Sequence, residues 1–448
     1  MASNLTAISS PVEPMSPTRG ELPNLADFYE DGSDEILSKC SRFAAFVQEV
    51  DATGLFKSQY RLELVGPIDH RIRVRDPETA QLRELICFDS NSYLGLHLDP
   101  RVIRVATRVL SEAGFGCPSA QLLAGTHRWL RELEETVADF HGRPAAIAFP
   151  SGYVANVGTL TALLRPGDLV ARDRYCHASI HDGCLWSGAV ANRTYRHNDI
   201  HELDRLLCRA GSNVRGKLIV SDGVFSMHGH LAPLPDLSAT ARRHGARLMI
   251  DEAHCVGVLG ATGRGLEEHF GMPDSIDIIM STFSKAPGAI GGYVCASEQV
   301  VQYLRFFARA SMFTASLPAS MCAGLTEAFR IMKTEPEHRE RLWQNARRLH
   351  IGLREVGYPM EPLSSPILTI PVGSQRRLLM ISRRLYEAGI KCGSVSYPAV
   401  PKNRCLLRLS VNARHRAEDL DRTVEVLASM REGLAGRNVV VPTVEDRI

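Results

Sequence analysis

The sequence predicts an α/β fold in which a mostly parallel sheet is covered by helices on both faces. Between residues 100 and 300, helical patterns alternate with short apolar runs, as expected when parallel strands are buried on both sides. Several runs end in polar residues at the edge where such sheets bind ligands. These ends carry Ser151, Asp222, Asp251 and Thr282. The predicted strands cover residues 145–149, 168–171, 217–221, 247–251, 276–281 and 292–296.

The remaining chain is predicted to form smaller units around this sheet. An amphipathic helix pattern and an alternating extended stretch precede the sheet, and two strand patterns flanking a helix at 376–388 follow it, at 367–372 and 405–410. The predicted units are a flexible segment rich in Pro, Ser and acids at 1–35, an N-terminal subdomain at 36–99, the large domain at 100–300, a small C-terminal α+β domain at 301–436 and a tail at 437–448.

Composition excludes several classes of protein. With 448 residues, 44% hydrophobic, and a net charge of +2 from scattered basic residues, the chain has no field that would attract nucleic acid. The longest apolar stretch, residues 145–164, is interrupted by Pro150, Ser151 and Gly152, so we expect no transmembrane anchor. The N-terminus lacks a secretory signal pattern, and the eleven cysteines form no C-x-x-C pair. We therefore expect reduced, buried thiols, a cytoplasmic location and no metal site.

The most informative stretch is the loop of small residues that follows the strand predicted at 276–281. It reads Ser-Thr-Phe-Ser-Lys-Ala-Pro-Gly-Ala-Ile-Gly-Gly and presents Lys285 just after the strand. An accessible amine can form a Schiff base with an aldehyde, and small neighbours let a planar cofactor approach the backbone. On this stretch alone, an ordinary surface lysine in a glycine-rich turn is the more common case.

A second stretch places Asp251 at the end of an apolar strand, with His254 three residues later. A carboxylate at this position can hold a pyridine nitrogen protonated, which makes the ring an electron sink. The alternative is the DEAH box of a helicase, whose acids hold magnesium. That alternative requires a G-x-x-x-x-G-K-[ST] phosphate loop upstream, and the sequence contains none.

Two weaker signals complete the pattern. The strand ending at Phe149 turns through Gly152 into a helix, and the free N–H groups of a helix start suit a phosphate. His177 and His181 are spaced as metal ligands on a helix can be, but no third ligand is suggested nearby, so packing or ring stacking is favoured over metal binding.

Taken together, these segments resemble the α-oxoamine synthases, a group of fold-type-I enzymes that depend on pyridoxal phosphate. The resemblance runs from about residue 60 to 430. Besides the lysine, aspartate and phosphate stretches, it includes DSNSYLGL at 89–96, SDGVFSMHG at 221–229, GVLGATGRG at 257–265, FTASLP at 313–318 and LRLSVNARH at 407–415.

The resemblance implies a role for each matching residue. Lys285 would carry the cofactor as a Schiff base, Asp251 would pair with the pyridine nitrogen, and His177 would stack on the ring. His254 and Ser226 would contact its phenolic oxygen. The phosphate would be held by Gly152, Tyr153 and Thr282, with Thr314 supplied by the second subunit of a homodimer. Asn91 and Arg408 would bind the substrate carboxylate, for which a guanidinium is well suited.

Three positions depart from the family's pattern. The segment Ala120-Gln121-Leu122-Leu123-Ala124-Gly125 lacks the usual arginine, Leu130 replaces a histidine, and His228 stands where an acid is common. These positions are expected near the acyl entrance or the subunit contact. These departures therefore bear on which acyl substrate is bound more than on which reaction is catalysed.

The resemblance implies a condensation between an amino acid and an acyl thioester, carried by CoA or by an acyl carrier protein. The Thr-Phe-Ser-Lys stretch is closer to serine palmitoyltransferase than to the glycine-using members, which favours serine or alanine over glycine. One alternative is another fold-type-I enzyme, an aminotransferase or aldolase. The other is a catalytically inactive partner subunit, against which the joint presence of Lys285, Asp251 and His177 argues.

Overall fold

The computed structural model describes residues 23–434 except 24, 31, 53, 55, 190, 212 and 213. The predicted tail at 437–448 and most of the predicted flexible segment lie outside the described residues. Within that segment, Leu25–Phe28 forms a short 3-10 turn, and Phe28 packs against Phe43 and Phe46 with ring centroids 5.2 and 4.9 Å apart.

Helices and strands alternate through most of the described chain. The strands are β1 (Glu63–Leu64), β2 (Arg71–Arg75), β3 (Leu82–Phe88), β4 (Ala145–Phe149), β5 (Leu169–Asp173), β6 (Ala191–Tyr195), β7 (Lys217–Asp222), β8 (Arg247–Asp251), β9 (Ile278–Thr282), β10 (Gly292–Ala296), β11 (Ile367–Gly373), β12 (Ile390–Val395) and β13 (Cys405–Ser410). The α-helices are α1 (Ser38–Ala52), α2 (Pro100–Ala113), α3 (Arg128–His141), α4 (Gly152–Leu163), α5 (Ala178–Trp186), α6 (Ile200–Cys208), α7 (Leu234–Arg243), α8 (Leu266–Phe270), α9 (Glu298–Phe307), α10 (Arg309–Met312), α11 (Ala319–Thr334), α12 (Glu337–Glu355), α13 (Gln375–Glu387) and α14 (Ala417–Leu434).

The larger sheet has seven strands in the order β4-β10-β9-β8-β7-β5-β6. β10 runs antiparallel to both its neighbours, and the other six strands share one direction, which confirms the predicted mostly parallel sheet. The apolar side chains of β4 and β8 to β10 are almost entirely buried, because helices cover both faces.

The smaller sheet has six strands in the order β1-β2-β3-β12-β13-β11. Its central contact is the parallel pairing of β3 with β12, in which Ile86 pairs with Ile390 and Phe88 with Cys392. Strands from the predicted N-terminal subdomain and from the predicted C-terminal domain therefore belong to one sheet. As a result, Asn91, which follows β3, lies beside Arg408 of β13.

In the described part of the chain, no helix is long and apolar enough to cross a membrane. All eleven cysteines are free thiols, and eight of them are buried, whereas Cys40 and Cys208 are exposed and Cys117 is half-buried. The predicted burial therefore holds for eight of the cysteines and not for these three.

Candidate active site

Strand register brings the predicted site residues to one edge of the large sheet. Asp222 and Asp251 are paired neighbours at the ends of β7 and β8. Gly292 pairs with Thr282 on one side and with Phe149 on the other, which places the start of α4 beside the end of β9. This is the carboxyl edge of the parallel strands, where open α/β sheets bind ligands.

Lys285 lies on the loop directly after β9 and is half-buried. Burial lowers the pKa of its amine, and the carboxylates of Asp251 and Asp222 oppose that shift only in part. Removal from water disfavours the ammonium form, so the amine is more readily available as a nucleophile and as a base.

Asp251 is a buried carboxylate held from two sides. Its Oδ1 accepts the Ala253 backbone N–H at 2.9 Å, and its Oδ2 accepts from Asn156 Nδ2 at 2.8 Å. Its strand neighbour Asp222 is also buried and accepts the His177 backbone N–H at 3.1 Å. Burial and the nearby Asp251 charge raise the pKa of Asp222 well above its usual range. Of the two acids, Asp251 is the one whose two oxygens are both fixed by hydrogen bonds, which suits it to pair with a positive ring nitrogen.

His177 precedes α5 and caps its first turn. The Nδ1 atom lies 2.7 Å from Ser179 Oγ and accepts the Ser179 backbone N–H at 3.3 Å. Burial lowers the pKa of the ring, which keeps it uncharged near neutral pH. A neutral, flat imidazole is suited to stacking on a planar cofactor.

The turn into α4 offers a cradle for a phosphate. Ser151 accepts the Val154 N–H, whereas the N–H groups of Gly152 and Tyr153 have no acceptor among the described residues. A Cβ added to Gly152 would lie 2.9 Å from Thr282 Cβ, so only glycine lets the strand and helix meet this closely. Two free amides at a helix start, next to the Thr282 and Ser284 hydroxyls 2.9 Å apart, fit a phosphate.

Arg408 is a buried guanidinium with polar but uncharged partners. It donates to the Ser226 carbonyl at 2.6 Å, to Ser410 Oγ at 2.7 Å and to Asn91 Oδ1 at 3.1 Å. Within the described chain, no carboxylate forms an ion pair with it. Because a buried charge is costly without a counter-charge, the site is suited to an anionic ligand.

His254 and Ser226 occupy different positions around the same edge. His254 is buried, and its Nδ1 lies 2.6 Å from the hydroxyl of Tyr93. Burial and the nearby positive charges of Lys285 and Arg408 lower the pKa of His254 well below its usual value. Ser226 uses its backbone carbonyl to hold Arg408, and its hydroxyl forms no hydrogen bond in the described structure.

The two remaining predicted residues lie at the margin. Tyr153 is 40% exposed, its hydroxyl donates to Asp182, and its ring meets His177 edge-on with centroids 6.5 Å apart. Thr314 lies on the loop between α10 and α11, and no hydrogen bond within the described chain links it to the other site residues.

His181 accepts a hydrogen bond from Arg172 Nε at 2.8 Å through its Nδ1. The Nδ1 atoms of both His177 and His181 are therefore engaged in hydrogen bonds.

The departures from the family pattern have clear structural settings. Leu130 is fully buried, and its side chain packs in the main hydrophobic core. His228 is half-buried and stacks on Tyr175 and His230 at 5.0 and 5.3 Å, and burial lowers its pKa to about 4. In the segment Gln121–Gly125, Gln121 Nε2 donates to the Ala148 carbonyl at 2.8 Å.

These groups together fit pyridoxal phosphate. The phosphate cradle, the half-buried amine and the buried carboxylate match the phosphate, the aldehyde and the pyridine nitrogen of that cofactor, and His177 offers a ring face.

Comparisons with known proteins agree with this reading. The sequence matches the aminotransferase class I and II family over residues 83–427. It is 38% identical over 350 residues to 8-amino-7-oxononanoate synthase 1 of Bacillus velezensis, covering 78% of this chain and 89% of that protein. The chain belongs to the α-oxoamine synthase family.

Two further α-oxoamine synthases extend the comparison. A solved structure of a variant serine palmitoyltransferase from S. paucimobilis, with a bound PLP–myriocin aldimine, is 32% identical, with a TM-score of 0.84, and the match covers 89% of this chain and 99% of that one. PigH of Serratia sp., a 4-hydroxy-2,2'-bipyrrole-5-methanol synthase, is 37% identical over 410 residues. That match covers 92% of this chain, which spans 62% of the length of PigH. The predicted fold, the cofactor pyridoxal phosphate and the class of PLP-dependent acyltransferase are confirmed.

The structure also brings into the site several residues for which the sequence predicts no role. These are Tyr93, Asn156, Ser179, Asp222 and Ser410, all of them buried. Asp222 had a usable signal, because it ends a predicted strand next to Asp251. The contacts of Asn156 and Ser179 depend on the packing of α4 against α5, which no local pattern shows.

Proposed function

We propose that this α-oxoamine synthase joins an amino acid to an acyl thioester, with loss of the amino acid's carboxylate, and so forms an α-amino ketone. A bond forms between the amino acid Cα and the acyl carbon, the carbon–sulfur bond breaks, and the thiol and carbon dioxide leave. The main support is the buried Arg408, whose charge has no carboxylate partner in the described chain. Of its five N–H groups, the three observed bonds use three, so donors remain for a substrate carboxylate.

The residues around the cofactor site have distinct roles in this proposal. Pyridoxal phosphate supplies an electron sink for the charge that develops at Cα. Lys285 carries the cofactor and moves the proton at Cα, which its lowered pKa favours. Asp251 balances the positive charge at the pyridine nitrogen, and His177 lies against the ring. His254 and Ser226 are assigned to the phenolic oxygen, and Gly152, Tyr153 and Thr282 to the phosphate.

Serine is the amino acid we expect, with alanine and glycine as alternatives. Serine palmitoyltransferase, the structural relative with a TM-score of 0.84, names serine as its substrate. The product named for PigH carries a methanol substituent, the group present in a serine side chain. Both relatives thus point to the same amino donor. The acyl group would arrive on CoA or on an acyl carrier protein.

The amino acid and the reaction can be tested together. Purified enzyme with bound cofactor is titrated with serine, alanine and glycine while its visible spectrum is recorded, and then an acyl-CoA is added while free thiol is measured. The proposal expects a spectral response to serine, followed by thiol release only when both substrates are present. Conversion to a keto acid without thiol would support an aminotransferase, and no response to any amino acid would support an inactive partner subunit.

We also propose a homodimer with shared active sites, to which Thr314 contributes across the subunit boundary. Large apolar side chains are highly exposed on the single chain, with Phe115 at 91%, Leu123 at 81% and Phe313 at 74%. Phe313 directly precedes Thr314. Exposed apolar surface of this kind is typical of a protein interface. A cytoplasmic location stays a prediction.

A further inference from the structure

Asn156 of α4 connects two residues of the site that lie on different elements. Its side chain is 1% exposed, and its Nδ2 donates to Asp251 Oδ2 at 2.8 Å and to Ser179 Oγ at 2.9 Å. Because a carboxylate oxygen accepts hydrogen bonds and the amide nitrogen donates them, this arrangement places Asn156 Nδ2 toward Asp251. Both amide hydrogens are then in use.

The second of these bonds determines the orientation of a proton on Ser179. Ser179 Oγ accepts from Asn156, so its own hydrogen is free to point to His177 Nδ1, 2.7 Å away. His177 Nδ1 also accepts the Ser179 backbone N–H. With Nδ1 acting as an acceptor, the proton of the neutral ring resides on Nε2.

The remaining atom of the amide shows that these contacts are not a by-product of packing. Asn156 Oδ1 is buried and has no hydrogen-bond partner in the described structure. An unpaired buried carbonyl is unfavourable, and an apolar side chain of similar size would avoid it. The two donated hydrogen bonds are therefore what this position supplies.

We propose that Asn156 is a positioning residue that acts on both sides of the cofactor site, holding the Asp251 carboxylate by a hydrogen bond and, through Ser179, fixing the Nε2–H tautomer of His177. The inference rests on the proposed function, because that function places Asp251 and His177 against the cofactor. The amide of Asn156 thus contacts Asp251 directly and, through Ser179, sets the tautomer of His177.

The first test uses the protein without cofactor, so it does not depend on catalysis. The His177 ring is titrated by NMR in wild-type protein and in the Asn156→Asp and Ser179→Ala variants, with its signal assigned from a His177→Gln variant. Ser179→Ala removes the hydroxyl that donates to Nδ1, whereas in Asn156→Asp that hydroxyl can turn toward the new carboxylate and away from Nδ1. Either change makes protonation of the ring easier. We expect the pKa of His177 to rise in both variants toward its ordinary value.

Asn345→Asp is the matched control, because the partners of Asn345 Nδ2 among the described residues are the backbone carbonyls of Asn412, Ala413 and His415. This variant is expected to lose stability while leaving the His177 titration unchanged. An unchanged pKa in both site variants, or an equal change in the control, would overturn the proposal.

The second test uses the enzyme with bound pyridoxal phosphate. In Asn156→Asp, two adjacent carboxylates would share a proton, so Asp251 would no longer balance the ring charge fully. We expect kcat to fall about 10- to 100-fold, the size expected for losing a hydrogen bond to a charged group, with KM for the amino acid changed less than about threefold. A rise in KM with constant kcat would contradict the positioning role. If wild-type enzyme releases no thiol while the His177 shift is observed, the proposed function fails and the Asn156 connection stands.

Discussion

At Lys285, two opposing effects act on one amine. Withdrawal from water favours the neutral form, whereas the carboxylates of Asp251 and Asp222 favour the ammonium form, and burial is the larger effect. The ordinary case for a lysine on a glycine-rich turn is full exposure, where neither effect operates. The chemistry of this residue therefore comes from its surroundings more than from its loop.

The first prediction concerns this residue. Lys285→Ala should remove the visible absorbance of the bound cofactor and reduce activity at least about 10³-fold, because the amine that follows β9 beside Asp251 is the one proposed to hold the cofactor and move the proton. Absorbance spectra and thiol release measure the two effects. Lys333→Ala is the control, since Lys333 is exposed and forms an ion pair with Asp139 at 2.6 Å. A normal spectrum in Lys285→Ala would refute the assignment.

At the scale of elements, the meeting of β4, β9 and α4 shows how sheet geometry forms a binding site. Gly292 of β10 pairs with residues of both neighbouring strands, and a Cβ on it would lie 2.7 Å from Gly152 N. Two glycines thus allow the helix start to approach the sheet closely. The close approach places the free amides of that start beside the Thr282 side chain.

The second prediction tests this junction. In Gly152→Ala, the new Cβ would collide with the Thr282 side chain, so the helix start would shift by a few tenths of an ångström or more. We expect pyridoxal phosphate to bind about 10-fold or more weakly, as measured by equilibrium dialysis, while the protein remains folded. Gly116→Ala, at a position with open space around it, serves as the control. Equal affinity in both variants would exclude a phosphate cradle at Gly152.

At the scale of the whole molecule, the site is assembled from segments that are distant along the chain. Asn91 follows a strand of the N-terminal region, Lys285 follows a strand of the large sheet, and Arg408 belongs to a C-terminal strand. The pairing of β3 with β12 holds the outer two segments together. Loss of that pairing would separate Asn91 from Arg408, which form the proposed carboxylate site, and would leave the loop that carries Lys285 in place.

The third prediction addresses the proposed shared site. Lys285→Ala protein and a Thr314→Trp protein, each inactive by itself, are mixed under conditions that allow subunits to exchange. If Thr314 acts across the boundary, mixed dimers contain one intact site, and random exchange restores about a quarter of wild-type activity. Sedimentation confirms that dimers are present. Activity that stays at the level of the separate variants would argue against a shared site.

The fourth prediction concerns the pH dependence of folding. His415 is 5% exposed, stacks on Phe88 at 4.4 Å and accepts the Asn412 N–H through Nδ1, and burial lowers its pKa to about 4. Between pH 6.5 and 4 the unfolded chain binds the proton and the folded chain does not. The contribution is therefore fully present above about pH 6.5 and is lost as pH falls toward 4, at about 1.4 kcal/mol per unit and ~3 kcal/mol in total.

Urea unfolding at pH 7.5 and pH 5 measures this effect. The His415→Gln variant should have a smaller difference in unfolding free energy between the two pH values than the wild type. A substitution at the exposed His269 should leave the difference unchanged. An identical pH dependence in His415→Gln and wild type would show that other groups cause the loss of stability.

Regular elements with strong apolar patterns were predictable from sequence alone. The strands at 145–149, 247–251, 292–296 and 405–410 have the predicted bounds, because each is a short apolar run between turn residues. β6 and β12 were missed. β6 is an edge strand in which Asn192, Arg193 and Thr194 are polar, and β12 contains Lys391 and Gly393, so neither has the signal of a buried strand.

The sequence by itself determined the fold class, the family and the residue types available at the strand ends, because these depend on local patterns and ordered motifs. Only the tertiary structure decided that Asn156 joins Asp251 to Ser179, that Arg408 is buried without a carboxylate partner among the described residues, and that the N-terminal and C-terminal strands form one sheet. These features depend on contacts between residues far apart along the chain. Such contacts are set by how whole elements pack, and no local pattern encodes them.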